Sequence, residues 1–161
     1  MPENAERARL EAALGALDPN DPEAAGLHRA LGRLCHDAGD FGAAVAHLER
    51  ARALHGAAGP GPELATDCNH LALVLHDLGE LDEAQMLLEQ ALAMDEKALG
   101  AEHVNVARDA NNLAGVLRDR GDLLGAAEAL RWALGIYQAR LGPDHPTTQS
   151  VARNLRVVEG G

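Results

Sequence analysis

Aromatic residues are scarce in this chain of 161 residues, which contains only Phe41, Trp132 and Tyr137. A β-sandwich would draw its core from aromatic and β-branched side chains, so that class is disfavoured. Alanine and leucine instead supply most of the apolar residues, which make up 47% of the sequence. These residues favour helices that pack closely together, and the length suffices for one domain with its own core.

Positive charge is also scarce in the sequence. It has 14 lysine and arginine residues against 25 aspartate and glutamate residues, which gives a formal net charge of −11. A surface this acidic repels phosphate backbones and anionic lipids, so neither nucleic acid nor a membrane is expected as a partner. No apolar run approaches the roughly 18 residues needed to cross a bilayer, and the first residues lack a signal-peptide pattern. We therefore expect a soluble, cytoplasmic protein.

Residues that carry catalytic and metal chemistry are few. Ser150 is the only serine, and the sequence contains no glycine-rich phosphate loop and no HExxH motif. The histidines lack the spacing of a ligand set. Cys35 and Cys68 are expected to be free, buried thiols, because a disulfide or zinc site would need spacing or further ligands that the sequence lacks. The sequence thus predicts no enzyme activity, no catalytic residue, no metal and no cofactor.

The chain contains an internal repeat. The segment NHLALVLHDLGELDEAQMLLEQAL, residues 69–92, returns 42 residues later as NNLAGVLRDRGDLLGAAEALRWAL, residues 111–134. A shift of 40 residues in the other direction aligns a third copy, LGRLCHDAGDFGAAVAHLERA. Three copies in register indicate a repeat architecture, in which each unit buries its apolar face against its neighbours.

Each copy is predicted to form a pair of helices. Apolar residues recur every three or four positions on both sides of Gly79-Glu80, and the other copies have Gly39-Asp40 and Gly121-Asp122 at that point. Apolar recurrence at this spacing is typical of amphipathic helices. A glycine can adopt the left-handed conformation that ends one helix, and the acidic residue after it can cap the next helix.

The domain boundaries follow from the joints between copies. A proline recurs at the same position of the repeat, in the dipeptides Asp21-Pro22, Gly61-Pro62 and His145-Pro146. The remaining joint has His103 followed by a valine at this position. Proline is tolerated in the first turn of a helix, so these positions mark the starts of the first helices. We expect one domain over 1–161, with an N-terminal helix or degenerate half repeat at 1–18, repeats at 22–58, 62–100 and 104–142, and a capping helix at 146–158. The end helices are either caps or the cut edges of a longer array.

The repeat resembles the tetratricopeptide repeat, whose pattern runs W-x₂-L-G-x₂-Y and then A-x₃-F-x₂-A. In the second copy the matching residues are Leu71, Ala72, Leu75, Ala84, Leu88 and Ala91. The 42-residue length and the N-N-L-A opening are similar to kinesin-light-chain-like members of that family. The resemblance implies an all-α, right-handed superhelix, or α-solenoid, of about three hairpins with flanking helices. It also implies a protein-interaction module whose first helices line a concave, peptide-binding groove.

The family's groove-facing positions predict a binding groove rich in arginine. Arginine forks bind carboxylates, and asparagine amides can hold a peptide backbone. We therefore expect a protein or peptide partner that offers an acidic segment or a free C-terminal carboxylate. The predicted groove residues are Arg29, Arg33, His36, Asn69, Leu73, His76, Arg108, Asn111, Arg118 and Arg153.

Two alternatives to a peptide groove stay open at this point. The groove arginines can instead pair with the aspartates at 37, 77 and 119, which would leave solvated faces without free positive charge. The protein can also serve as a structural or self-assembly module, a homo-oligomer formed through its end helices, or as the sensor arm of a larger signalling protein.

Overall fold

The computed structural model describes residues 2–160, with side chains from residue 5 onward. Met1 and Gly161, the two ends of the predicted domain, lie outside the described residues. Within them the chain forms helices and no strands. These helices are α1 (Pro2–Gly15), α2 (Ala24–Asp37), α3 (Phe41–Ala57), α4 (Pro62–Asp77), α5 (Leu81–Leu99), α6 (Val104–Asp119), α7 (Leu123–Leu141) and α8 (Pro146–Gly160).

The helices pack as successive hairpins. The three hairpins are α2–α3, α4–α5 and α6–α7, while α1 packs against α2 and α8 packs against α7. The second helix of each hairpin also packs against the first helix of the next unit, and α4 touches both α2 and α6. The first helices therefore form an inner layer, and α3, α5 and α7 form an outer layer. The prediction of an all-α solenoid of three hairpins with flanking helices is confirmed.

The turn inside each hairpin uses the predicted glycine. Gly39, Gly79 and Gly121 have φ angles of 76°, 81° and 87°. This left-handed conformation is strained for a residue with a Cβ atom and unstrained for glycine. Each glycine follows the last turn of a first helix, so it reverses the chain there and places the second helix alongside the first.

The acidic residues after these glycines differ in what they do. Asp40 accepts a hydrogen bond from the Ala43 backbone N–H at 3.2 Å, and Asp122 accepts one from the Gly125 N–H at 2.9 Å. Glu80 precedes α5 and makes no side-chain capping bond. The prediction of a side-chain cap is therefore confirmed for the two aspartates and wrong for the glutamate. The short aspartate side chain is one of the preferred N-cap residues, and the longer glutamate is not.

The joints between hairpins begin most first helices where the sequence predicts. α4, α6 and α8 start at the expected positions, whereas α2 starts at Ala24, beyond the proline of its joint. Two histidines stabilise helix starts: His103 Nδ1 accepts from the Asn105 N–H at 3.1 Å, and His145 Nδ1 accepts from the Thr147 N–H at 3.2 Å. Both bonds satisfy backbone donors that a helix start leaves free.

The core runs along the whole solenoid. One cluster of buried residues centres on α3, α4 and α5, and a second centres on α6, α7 and α8. Leu92 and Leu117 pack against both clusters and so connect them. Small residues stand where the helices of a hairpin cross: Gly32, Ala72 and Ala114 occupy equivalent positions and are buried. A larger side chain at these positions would push the paired helices apart.

Both cysteines lie in this core. Cys35 and Cys68 are 0% and 2% exposed, and both are free. Burial raises the pKa of the Cys68 thiol to about 11, so that thiol stays protonated and is a poor nucleophile. The prediction of free, buried thiols is confirmed.

Candidate functional site

The ten predicted groove residues all lie on helices of the inner layer and on the flanking helix α8. Their environments differ. Nine of them fall into three groups, which are residues held in buried polar clusters, residues paired along the exposed edge, and residues with unpaired charge or exposed apolar surface; Asn111 belongs to none of these. In helix order they are Arg29, Arg33 and His36 on α2, Asn69, Leu73 and His76 on α4, Arg108, Asn111 and Arg118 on α6, and Arg153 on α8.

Arg29 belongs to a buried polar cluster between the first and second hairpins. Its Nε donates to Asp67 Oδ1 at 2.6 Å and its Nη2 donates to Glu63 Oε2 at 2.6 Å. Asp67 is 0% exposed and also bonds to His55 of α3. Breaking such a pair would leave a buried charge without a partner. The charge of Arg29 is therefore already compensated, and the cluster fixes α4 against the first hairpin.

Asn69 and Arg108 meet in a second buried cluster, one repeat further along. Asn69 Nδ2 donates to Asp109 Oδ1 at 2.6 Å, and Asn69 Oδ1 accepts from Asn112 at 3.1 Å. Arg108 Nη2 donates to the same Asp109 oxygen at 2.8 Å and to Asp95 Oδ2 at 3.4 Å. Asn69 is 1% exposed. Its amide is used within the protein, so it is not available to hold a peptide backbone as the sequence analysis expected.

Histidine–aspartate pairs run along the exposed edge of the inner layer. His36 Nε2 lies 2.7 Å from Asp77 Oδ2, and His76 Nε2 lies 2.7 Å from Asp119 Oδ2, so two equivalent pairs join α2 to α4 and α4 to α6. Arg118 Nε also donates to Asp119, at 2.8 Å. The aspartates at 77 and 119 thus take histidine partners across helices, and one of them also takes an arginine.

Arg33 and Arg153 are the predicted groove residues whose charges have no partner among the described side chains. Both are exposed. Leu73 of α4 is partly exposed and offers apolar surface on the same layer. Asn111 contributes differently, because its Oδ1 is buried and accepts no hydrogen bond from any described residue.

His70 of α4 is an inner-layer residue that the sequence analysis did not select. Burial, together with the nearby charges of Arg33, Arg108 and Arg29, lowers the pKa of His70 to about 4. Its ring is therefore neutral near pH 7. His70 therefore lies near three arginines of the inner layer, of which Arg33 has no ion-pair partner among the described side chains.

The buried aspartates were also not selected from the sequence. Asp67 and Asp109 stand 42 residues apart, one repeat length, and each lies within an apolar stripe. A charged residue that recurs at one core position is a signal for a buried polar cluster, because an unpaired charge there would be costly.

None of the helices between residues 2 and 160 combines the length and apolar character that crossing a bilayer requires. In the same part of the chain, no three or more histidine, cysteine or acidic residues come together as a metal-binding group.

Comparison with known proteins places this geometry in context. A tetratricopeptide repeat family model matches residues 63–139, and no curated protein matches the sequence. The crystal structure of BtubC (BKLC) from P. vanneervenii superposes with a TM-score of 0.87 at 23% identity, covering 99% of this chain and 66% of BtubC. The nearly identical TPR-like repeats named for a kinesin light chain of Podosopora anserina give 0.79 at 23% identity, covering 98% and 79%. The apo form of RapI gives 0.80 at 16% identity, covering 93% and 53%.

The structural likenesses show the fold, and this chain spans only 66% of BtubC and 53% of RapI. The family match covers the second and third hairpins, and the glycine turn and small crossing residue continue into the first. Hairpin geometry, repeat pattern and family match therefore agree. Residues 63–139 match the tetratricopeptide repeat, and the described chain has the fold of solved TPR-like repeats.

Proposed function

We propose that this protein is an interaction scaffold that binds a carboxylate-rich peptide segment, either an acidic stretch or a free C-terminus, on its inner layer. Proteins of this family are generally scaffolds for protein–protein interaction rather than enzymes. The proposal places the protein in the cytoplasm, where the two free thiols fit a reducing environment.

The exposed, unpaired guanidinium of Arg33 carries this proposal. It acts on the ring of His70 together with Arg29 and Arg108, on a molecule whose formal net charge is −11. Because no described acidic side chain pairs with Arg33, a carboxylate ligand could bind it without displacing an internal partner. Arg29 and Arg108 are paired with buried aspartates, so Arg33 is the arginine of this group whose charge has no partner among the described side chains.

Six of the ten predicted groove residues therefore divide into two roles. Arg29, Asn69 and Arg108 position the helices through buried hydrogen bonds. Arg33 and Arg153 are free to contact a ligand, and apolar side chains of the ligand would pack on Leu73. An exposed ion pair contributes only about 0.2–1 kcal/mol, so we expect modest affinity that depends on several contacts and falls as salt rises.

The test begins with an unbiased library of short peptides with free C-termini, selected on the immobilised full chain. We expect the selected pool to be enriched in aspartate and glutamate. One selected peptide is then labelled and its Kd measured by fluorescence anisotropy at two salt concentrations. An amidated twin of that peptide separates recognition of the C-terminal carboxylate from recognition of acidic side chains.

Charge reversal locates the binding surface. Arg33→Glu should raise Kd by about fivefold or more, which corresponds to about 1 kcal/mol or more. Arg9→Glu is the matched control, because Arg9 is exposed on α1 and has no ion-pair partner among the described side chains. A pool without acidic enrichment, or equal effects of the two reversals, would contradict the proposal.

The alternative is self-association through the end helices. It is favoured by Val157 of α8, a β-branched apolar residue that is 66% exposed. If α8 forms a homo-oligomer contact, the mass in solution should rise with concentration and Val157→Asp should abolish that rise. A monomer at every concentration would rule out this assembly.

A further inference from the structure

Two carboxylates lie buried together where the second hairpin meets the third. Asp95 of α5 and Asp109 of α6 are each 0% exposed. Arg108 is the one described cation that donates to them, at 2.8 Å to Asp109 and 3.4 Å to Asp95. If both carboxylates were ionised, this dry site would hold a net negative charge, and uncompensated buried charge is costly.

The hydrogen bonds of the pair are incomplete as long as both groups are carboxylates. Asp95 Oδ1 and Asp109 Oδ2 are buried, and neither accepts a hydrogen bond from a described residue. The two side chains both contact the same atom, Arg108 Nη2, and therefore lie next to each other. A carboxylate can only accept, whereas a carboxylic acid also donates one O–H. One proton on the pair would therefore supply the missing donor and remove one of the two charges.

The preceding cluster shows what the site requires. Asp109 stands one repeat after Asp67, and Asp95 stands at the position that corresponds to His55. In the first cluster, the His55 ring faces Asp67 and can donate to it. In the second cluster a carboxyl group occupies the place of that imidazole, so it can fill the donor role only when it is protonated.

We propose that Asp95 and Asp109 share one proton in the folded protein, and that this proton makes the junction between the second and third hairpins sensitive to pH. With the proton present, the pair carries one negative charge, which Arg108 balances. Without it, two anions face each other between α5 and α6 and repel.

The surroundings support the same sign of pH dependence. Burial, together with the charge of Asp95, raises the pKa of Asp109 to about 7 against the opposing effect of Arg108, and burial also raises the pKa of Asp95. The other titratable or polar groups that face the pair are His103 and Asn105 at the start of α6, Cys68 and Asn69 on α4, and Tyr137 on α7.

The direction follows from linkage between proton binding and folding. The folded pair keeps a proton that an ordinary aspartate, with a pKa of 3.8, releases in the unfolded chain. The stability that this proton supplies is therefore complete below about pH 4 and is lost as the pH rises towards 7. Histidines that fold in the neutral form act in the opposite direction, so the contribution of the pair is isolated by comparing variants.

The experiment is urea unfolding of the full chain at a series of pH values. Relative to Asp95→Asn, the unfolding equilibrium constant of the wild type should rise by up to about tenfold per pH unit between pH 5 and 7. The asparagine amide donates to Asp109 at every pH, so the variant needs no proton. Asp144→Asn, at an exposed carboxylate in the joint before α8, should keep the wild-type pH dependence.

Infrared spectroscopy of the folded wild type provides a second measurement that does not depend on how the variants fold. At about pH 6, where exposed carboxylates are ionised, the spectrum should contain the C=O stretch of a protonated carboxyl group. That band should disappear in Asp95→Asn and persist in Asp144→Asn. Absence of the band from the wild type, or an unchanged pH dependence in Asp95→Asn, would overturn the proposal.

Discussion

Replacing Gly32 with alanine sets helix propensity against packing. Alanine is the better helix former by about 1 kcal/mol in a helix interior, so propensity alone favours the change. A Cβ at Gly32, however, would lie 2.6 Å from Leu48 Cγ, 2.9 Å from Leu48 Cδ2 and 3.3 Å from the Ala44 carbonyl oxygen. Leu48 is 0% exposed, and its Cγ is a branch point close to the backbone, so it cannot swing away as the end of a flexible side chain could.

The two contributions can be compared in magnitude. Overpacking by a methyl group in a well-packed core costs about 1–3 kcal/mol, and the propensity gain offsets about 1 kcal/mol of that cost. We expect Gly32→Ala to lower the free energy of unfolding by about 1 kcal/mol. Gly135→Ala is the control, because Gly135 is exposed in α7 and its Cβ would meet nothing within 4 Å. That substitution should raise the free energy of unfolding by about 0.5–1 kcal/mol.

Urea unfolding followed by far-ultraviolet circular dichroism measures both changes, and an unchanged m-value would show that they reflect stability. Leu48→Ala removes the atoms that the new Cβ would meet. In that background Gly32→Ala should become stabilising, and the double-mutant cycle gives the size of the clash. If Gly32→Ala stabilised the wild type as much as Gly135→Ala does, the inference that α2 and α3 leave no room for a Cβ at this point would be wrong.

Two further predictions concern a helix cap and acid stability. Asp122→Ala should lower the free energy of unfolding by about 1 kcal/mol because it removes a capping bond. Glu80→Ala, at the equivalent position without such a bond, should change the free energy of unfolding little. Equal urea midpoints for the two variants would contradict this prediction. Burial lowers the pKa of His70 from 6.5 to about 4. Between these two pH values the folded state binds fewer protons than the unfolded chain. Stability is therefore lost as the pH falls from about 6.5 towards 4. His70→Gln should remove a loss of about 3 kcal/mol over this range, and an equally steep loss in the variant, measured by urea unfolding at each pH, would refute it.

The fold was predictable because its determinants are local and repeated. Gly39, Gly79 and Gly121 end the first helices wherever the hairpins occur, since a positive φ is a property of the residue and its immediate neighbours. The small residues at the helix crossings recur at the same phase. One copy of such a signal would be weak, but three in register leave few other architectures.

The candidate site was less predictable, because pairing depends on side chains that are distant in sequence. The positions of Arg29 and Asn69 on the inner layer follow from the repeat. Their partners lie 38 and 40 residues away on the next hairpin, at Asp67 and Asp109. Whether a guanidinium is free or neutralised is set by which side chain the next hairpin brings against it, and periodicity alone does not give that contact.

One repeat position shows how the neighbouring hairpin determines the chemistry of this layer. Arg29, Asn69, Asn111 and Arg153 occupy equivalent positions on successive first helices and α8. The first two meet buried aspartates on the next unit, whereas the position equivalent to those aspartates in α8 is Val151, and Asn111 Oδ1 accepts no hydrogen bond from a described residue. Arg29 is compensated, and Arg153, the same residue type at the same phase, is exposed and unpaired among the described side chains. Available charge on the inner layer is therefore a property of pairs of units. If the inner layer binds a carboxylate ligand as proposed, a substitution at the partner aspartate should change that binding as well as one at the arginine.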